Sequence, residues 1–243
     1  MLFHANKRQT SYGEDIGILL LDTQVPFIRG DVGNAKSFTY PVRYRLVKGL
    51  TAEAIFAHDY SFIKAMVEGA KELEREGVKA ITGDCGFMAL FQNEVKAAVN
   101  IPVFLSSLIQ IPFMTAILRN DQKIGVITAN SAPLTPDLLK AAGCHSSENL
   151  VIKGLEDTHY FRKAAINEVG SLDSDRIRDE VVSACSQLMT NNTDIGALLL
   201  ECSLLPVYSH AVHQATGLPV FDFLTMIDFV RSTLVKKSFP DSF

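Results

Sequence analysis

The sequence predicts an α/β protein of two pseudo-symmetric lobes, each a parallel sheet flanked by helices, with the active site in the inter-lobe cleft. Three observations carry that prediction. Short apolar runs rich in β-branched residues alternate with helix-period stretches, the pattern of βα units. One strand–helix–strand segment recurs without a gap 117 residues further on. In both copies the strand ends on an acidic residue followed by cysteine, Asp84-Cys85 and Glu201-Cys202.

The elements follow in order. Ile16–Leu21 reads as the first buried strand, and the polar stretch from Asp22 to Ser37, with Pro26, Gly30 and Gly33, as a long active-site loop. Tyr40–Val47 is a second strand. Tyr60–Glu76 is amphipathic, with Phe62, Ile63, Met66, Val67, Ala70 and Leu73 on one face and Gly77 as its stop. Strand Val78–Gly83, helix Phe87–Val99, strand Ile101–Leu105 and helix Ser107–Arg119 complete the first repeat. Strand Lys123–Thr128 opens the second, followed by helix Pro136–Ala142 ending at Gly143. Ser171–Asn191 is a long helix whose apolar face holds Ile177, Val181, Ala184, Cys185 and Leu188. Strand Ile195–Leu200, helix Val207–Ala215, strand Leu218–Phe221 and a helix from Asp222 end the pattern, leaving a polar, fraying tail over 236–243.

The repeat is specific in its details. At the offset of 117, Ala80 meets Ala197, Asp84 meets Glu201, Cys85 meets Cys202, and Pro102-Val103-Phe104 meets Pro219-Val220-Phe221. Ile16-Gly17-Ile18 matches Ile124-Gly125-Val126 at an offset of 108, so one half carries an insertion. Generic apolar patterning accounts for the matched strands but not for a shared acid–cysteine pair, which favours duplication.

Composition excludes several classes. Among 243 residues, 23 basic and 27 acidic side chains give a net charge of −4, with no basic block suited to nucleic acid or an anionic membrane. No apolar run is long enough to span a bilayer, and the first eight residues lack a secretory pattern, so a cytoplasmic protein with reduced thiols is expected. No cysteine or histidine spacing fits zinc, and no glycine-rich nucleotide motif is present, so neither metal nor cofactor is expected. His210 and His213 read as solvated.

Cys85 and Cys202 each occupy a strand-to-helix junction, where the helix end favours thiolate. Two lobes related by a pseudo-twofold place the two thiols on either side of a bound carbon. One removes a proton and the other delivers one from the opposite face, which suits stereoinversion. Cys185 reads as a core residue and Cys144, after Gly143, as a loop or surface thiol.

On these motifs the chain resembles the aspartate/glutamate racemase superfamily, which includes racemases, maleate isomerases and arylmalonate decarboxylases. The resemblance covers nearly the whole chain and implies two flavodoxin-like lobes, here 1–105 plus 207–243 and 106–206. Leu200-Glu201-Cys202-Ser203-Leu204-Leu205-Pro206 is similar to the family's Leu-Gly-Cys-Thr-x-x-Pro, and Ser203 stands where a threonine holds the substrate carboxylate. Cys85-Gly86-Phe87 matches Cys-Asn-Thr only at the cysteine, which disfavours aspartate or glutamate as substrate. Gly86 then lets substrate approach backbone and Phe87 walls an apolar pocket. The resemblance further implicates Asp22, Thr23 and Gln24 after the first strand, and Thr128, Asn130 and Ser131 in the matching turn; Arg43 and Arg45 read rather as salt-bridged. It implies a cofactor-independent racemase or epimerase acting on a small carboxylate-bearing substrate, in a possible homodimer. A cis/trans isomerase or decarboxylase, and a two-lobed binding protein without chemistry, are the alternatives.

Overall fold

The structure, a computed structural model, describes residues 1–5, 7 and 9–238. The expected fraying tail falls partly on 239–243, outside the described residues. The first sheet holds β1 (Ile16–Leu20), β2 (Val42–Leu46), β3 (Ala80–Gly83) and β4 (Val103–Phe104). Helices α1 (Ala52–Phe56), α2 (Ile63–Arg75), α3 (Gln92–Ala98) and α4 (Ile111–Ile117) intervene or follow. The second sheet holds β5 (Lys123–Thr128), β6 (Leu150–Gly154), β7 (Ile195–Leu200) and β8 (Val220–Phe221). Its helices are α5 (Pro136–Ala141), α6 (His159–Phe161), α7 (Ser174–Asn191) and α8 (Ser209–Thr216), with α9 (Phe223–Leu234) closing the chain.

Both sheets are parallel and share one topology, β2-β1-β3-β4 and β6-β5-β7-β8. Their registers repeat as well. Ile16 pairs with Val42 and Ala80, while Ile124 pairs with Leu150 and Ala197, positions related by the two sequence offsets. Gly17 and Gly125 occupy matching places, where a Cβ would press on Leu73 of α2 and on Leu188 of α7 respectively. The glycines thus let one helix in each lobe lie close on its sheet.

Three expected helices, those after β3, β4 and β7, begin with a 3₁₀ turn before becoming α-helical: Gly86–Phe91, Ser107–Gln110 and Pro206–Tyr208. The tighter turn brings each chain off its strand tip at once. Asp222 starts the last helix through a capping box with Thr225. The strand β6, the short helix α1 and the π-helical turn Arg162–Ile166 were not anticipated. β6 is half-buried and carries Lys153, so it lacks the apolar signal of its buried neighbours.

Of 207–243, expected with the first lobe, the described elements divide between the two. β8 pairs with β7, and Val212 of α8 packs in the second-lobe core, whereas Phe223, Met226 and Ile227 of α9 pack on Ile16, Ile18 and Phe104. Apolar side chains join the two lobes. Phe87, Leu90 and Phe91 belong to the same core as Leu138 and Leu139 of α5. Each such side chain contributes roughly 1.5–3 kcal/mol on burial, so the lobes are held by a continuous apolar contact. Cys185 is fully buried on α7, as its helix face predicts, but Cys144 is buried rather than a surface thiol.

Candidate active site

Cys85 and Cys202 stand two residues beyond β3 and β7, at equivalent strand tips. Both line one small, partly enclosed cavity of about 50 Å3, together with Asp84, Glu201, Ser203, Phe87 and Thr23. The loop after β1 adds Val25 and Phe27, α1 adds Ala52, Ile55 and Phe56, and the π-helical turn adds Ala165. Phe56 and Phe87 meet edge to face, with ring centroids 5.1 Å apart. No basic side chain contributes to this lining.

The two acids repeat each other's backbone bonding. The Asp84 N–H donates to Leu19 O and the Glu201 N–H to Ile127 O, at 3.1 and 2.8 Å. Asp84 Oδ1 accepts from the Leu21 N–H at 3.0 Å, and the matching Ala129 N–H serves Glu201. Glu201 is one methylene longer. Its Oε2 accepts from Thr128 Oγ at 2.8 Å, while its Oε1 is buried with no partner. A third carboxyl, Asp31, is 1% exposed; its Oδ1 accepts from the Gly33 N–H at 2.6 Å and its Oδ2 has no partner. Among the described residues none of these three acids forms an ion pair.

Burial dominates the electrostatics. It pushes Asp84 and Glu201 each up to about 7, and Asp31 well above the carboxylate range. It also holds both thiols well above the usual cysteine range, and the Glu201 charge adds to that for each. The N–H groups of Phe87 at Cys85 and of Leu204 at Cys202 favour thiolate but are outweighed. The thiolate character expected at a helix start is therefore corrected: burial leaves both thiols neutral.

This has a thermodynamic consequence. Asp84 and Glu201 have folded-state values near 7 against ordinary values of 3.8 and 4.5, so between those limits the native state holds protons that the unfolded chain releases. Their contribution to stability is complete below about pH 4 and is lost as pH rises through 7. Thermal melts are expected to give a Tm roughly 10–20 °C higher at pH 5 than at pH 8. Glu201→Gln should flatten that dependence; a Tm that rises over this range would contradict the assignment.

Of the residues singled out from sequence, the structure brings Cys85, Cys202, Phe87, Ser203 and Thr23 to one cavity. Gly86 lies against Glu201: a Cβ there would overlap the Glu201 carboxylate and approach its carbonyl oxygen to 2.9 Å. Thr128 is buried and faces Glu201 through its hydroxyl. Asp22 accepts from the Gly49 N–H at 2.8 Å, and the Gln24 N–H donates to Glu168 at 2.9 Å. Asn130 caps the Ala132 N–H, and Ser131 binds Glu156. These last four side chains do not line the cavity. Arg43 and Arg45 are bound by Glu14, Glu72 and Glu76 at the sheet edge. Sequence reasoning missed Asp31, Phe27, Ile55 and Phe56. The acid-plus-cysteine repeat did flag Asp84 and Glu201, though not that both acids share the thiols' cavity.

Comparison with known proteins follows the same division between fold and chemistry. No family model matches the chain. An arylmalonate decarboxylase superposes with a TM-score of 0.58, at 16% identity over 90% of this chain and 91% of that one. An allantoin racemase from Pseudomonas fluorescens gives 0.59, at 18% identity over 91% of both chains. The fold is thus the two-lobed α/β fold of these two proteins. Sequence relatives point elsewhere for activity. A dimethylsulfoniopropionate lyase of Durusdinium sp. clade D is 38% identical over 221 residues, 88% of this chain and 73% of the relative. Two such lyases of Emiliania huxleyi are each 34% identical over 230 residues and 90% of this chain, which spans 67% of one and 60% of the other. These relatives are lyases, and that overturns the racemase or epimerase expected from the sequence, along with its placement among isomerases. The physical reason is that a fold does not fix which reaction a site built on it performs.

Proposed function

The chain belongs to the dimethylsulfoniopropionate lyase family, and on that premise we propose that it cleaves dimethylsulfoniopropionate, or a close β-sulfonio carboxylate, by β-elimination. In such a molecule the carbon beside the carboxylate bears an acidic proton and the next carbon bears the sulfonium. One of the two thiols, once ionised, takes that proton. The C–H electron pair becomes the alkene of acrylate, and the C–S pair leaves on sulfur as neutral dimethyl sulfide. The Thr23 and Ser203 hydroxyls in the lining are the uncharged donors suited to the substrate carboxylate, on which charge builds as the proton departs. Thr128 positions Glu201.

The observation that supports this reading most is the charge of the cavity. Asp84 and Glu201 line it beside both thiols, with no basic side chain to balance a dicarboxylate. A zwitterion that brings its own cation suits such a place, where a second carboxylate would be repelled. Thiols that act as acid and base must stay reduced, which fits the cytoplasmic setting we propose; among the described residues no helix is long and apolar enough to cross a membrane.

The test is direct. The purified chain incubated with dimethylsulfoniopropionate should release dimethyl sulfide and acrylate in equal amounts, followed by gas chromatography and NMR. Release no faster than with heat-denatured protein would sink the proposal. Because both thiols rest protonated, kcat/KM is expected to rise with pH and to reach no plateau below pH 9.

A further inference from the structure

The superfamily pattern carries glycine before the second cysteine and asparagine after the first; this chain carries Glu201 and Gly86 at those places. The two departures fit each other in space. Glu201 reaches from the tip of β7 to the Gly86 Cα beyond the tip of β3, into room that any side chain at 86 would occupy. Thr128 fixes one carboxylate oxygen, so the other, Oε1, is held without a partner in a fully buried residue on the cavity wall. An unpaired buried carboxylate oxygen is costly and calls for a partner. Phe27, Phe56, Phe87 and Ile55 add aromatic and aliphatic surface to a lining whose only acceptor side chains are Thr23, Asp84, Glu201 and Ser203, and such faces favour a cation clothed in methyl groups.

We propose that Glu201 and Gly86 together form the recognition site for the methylated onium group of the substrate, Gly86 by leaving the space and Glu201 by supplying the charge. The proposal rests on the lyase reading for the rest of the substrate but not on turnover. It makes Glu201 a specificity-determining residue: the site selects a permanent, methyl-covered cation three bonds from a carboxylate and rejects both neutral and primary-ammonium analogues of the same shape.

The test uses two ligands of nearly equal size, 3-(trimethylammonio)propanoate and its neutral isostere 4,4-dimethylpentanoate, with β-alanine as the ammonium control. Dissociation constants are measured by calorimetry on the full chain, on Glu201→Gln and on Glu201→Asp, which keeps the charge but withdraws it by one methylene. The unaltered chain should bind the trimethylammonio ligand at least tenfold more tightly than either of the others. Both variants should bring the trimethylammonio and neutral ligands within about threefold, leaving the affinity for the neutral one unchanged. That last value also shows that the cavity has folded. Absence of a preference in the unaltered chain overturns the proposal whatever the variants do, and so does a preference that survives both substitutions. Should the preference be present while dimethylsulfoniopropionate is not cleaved, the lyase reading fails and the onium site stands. Should cleavage be present with no Glu201-dependent preference, the reverse holds.

Discussion

Serine replacement of Cys85 and of Cys202, one at a time, is expected to give unequal losses of lyase activity. Elimination removes a single proton and expels a neutral sulfide, so one thiol must act as base and the leaving group needs no proton from the other. A positioned general base contributes roughly 10²–10⁴-fold, and a serine hydroxyl, far less acidic than a thiol, cannot take that role. The variant lacking the base should therefore lose about 10³-fold or more in kcat/KM. Its counterpart should lose at least tenfold less, through altered packing of the opposite wall. A stereoinverting enzyme makes the contrary demand, because each thiol serves as acid in one direction and base in the other. Both sulfurs line the same cavity, Cys202 buried and Cys85 half-buried, so thermal melts are needed beside the kinetics to show that each variant folds. Equal collapse of the two folded variants to background would show that both thiols are obligatory and would overturn the one-base elimination.

The second large effect concerns Gly86. Gly86→Ala places a methyl group where the Glu201 carboxylate lies and within 2.9 Å of the Glu201 carbonyl oxygen. Glu201 cannot swing aside, because it is fully buried and bonded to Thr128. Overpacking of this kind costs about 1–3 kcal/mol, which for a chain of this length lowers Tm by roughly 3–10 °C. Adding Glu201→Gly should restore more than half of that loss, since the carboxylate is the main obstacle and only the carbonyl contact remains. A double-mutant cycle measured by chemical denaturation reads the coupling. Independent, additive effects would mean that the two residues do not share the space. A backbone requirement is not at issue, because Gly86 is not among the glycines with positive φ.

Much of this protein is legible in one dimension. Buried parallel strands such as Ile124–Thr128 and Ile195–Leu200 are continuous apolar runs, and α7 shows its buried face as Ile177, Val181, Ala184, Cys185 and Leu188. β6 escaped notice because an edge strand is half solvated and has no such run, although its place was implied by β2 at the same offset as β1 and β5. The turn of Thr128, Asn130 and Ser131 is ambiguous in sequence, because a polar turn beside a cleft looks the same whether it faces substrate or makes the contacts seen here, to a buried acid, to a turn amide and to Glu156.

The amino-acid sequence by itself determined the two-lobed α/β fold, its duplication and the pairing of Cys85 with Cys202, since each of these is written in local periodicity or in a repeat of local motifs. Only the tertiary structure decided what surrounds the sulfurs. The acids line one small cavity with both thiols, the thiols rest neutral, and Glu201 reaches across the lobes into the space left by Gly86. The reason is that desolvation and close contact depend on residues far apart in the chain, and no pattern along the sequence records the dielectric that a folded cavity imposes on them.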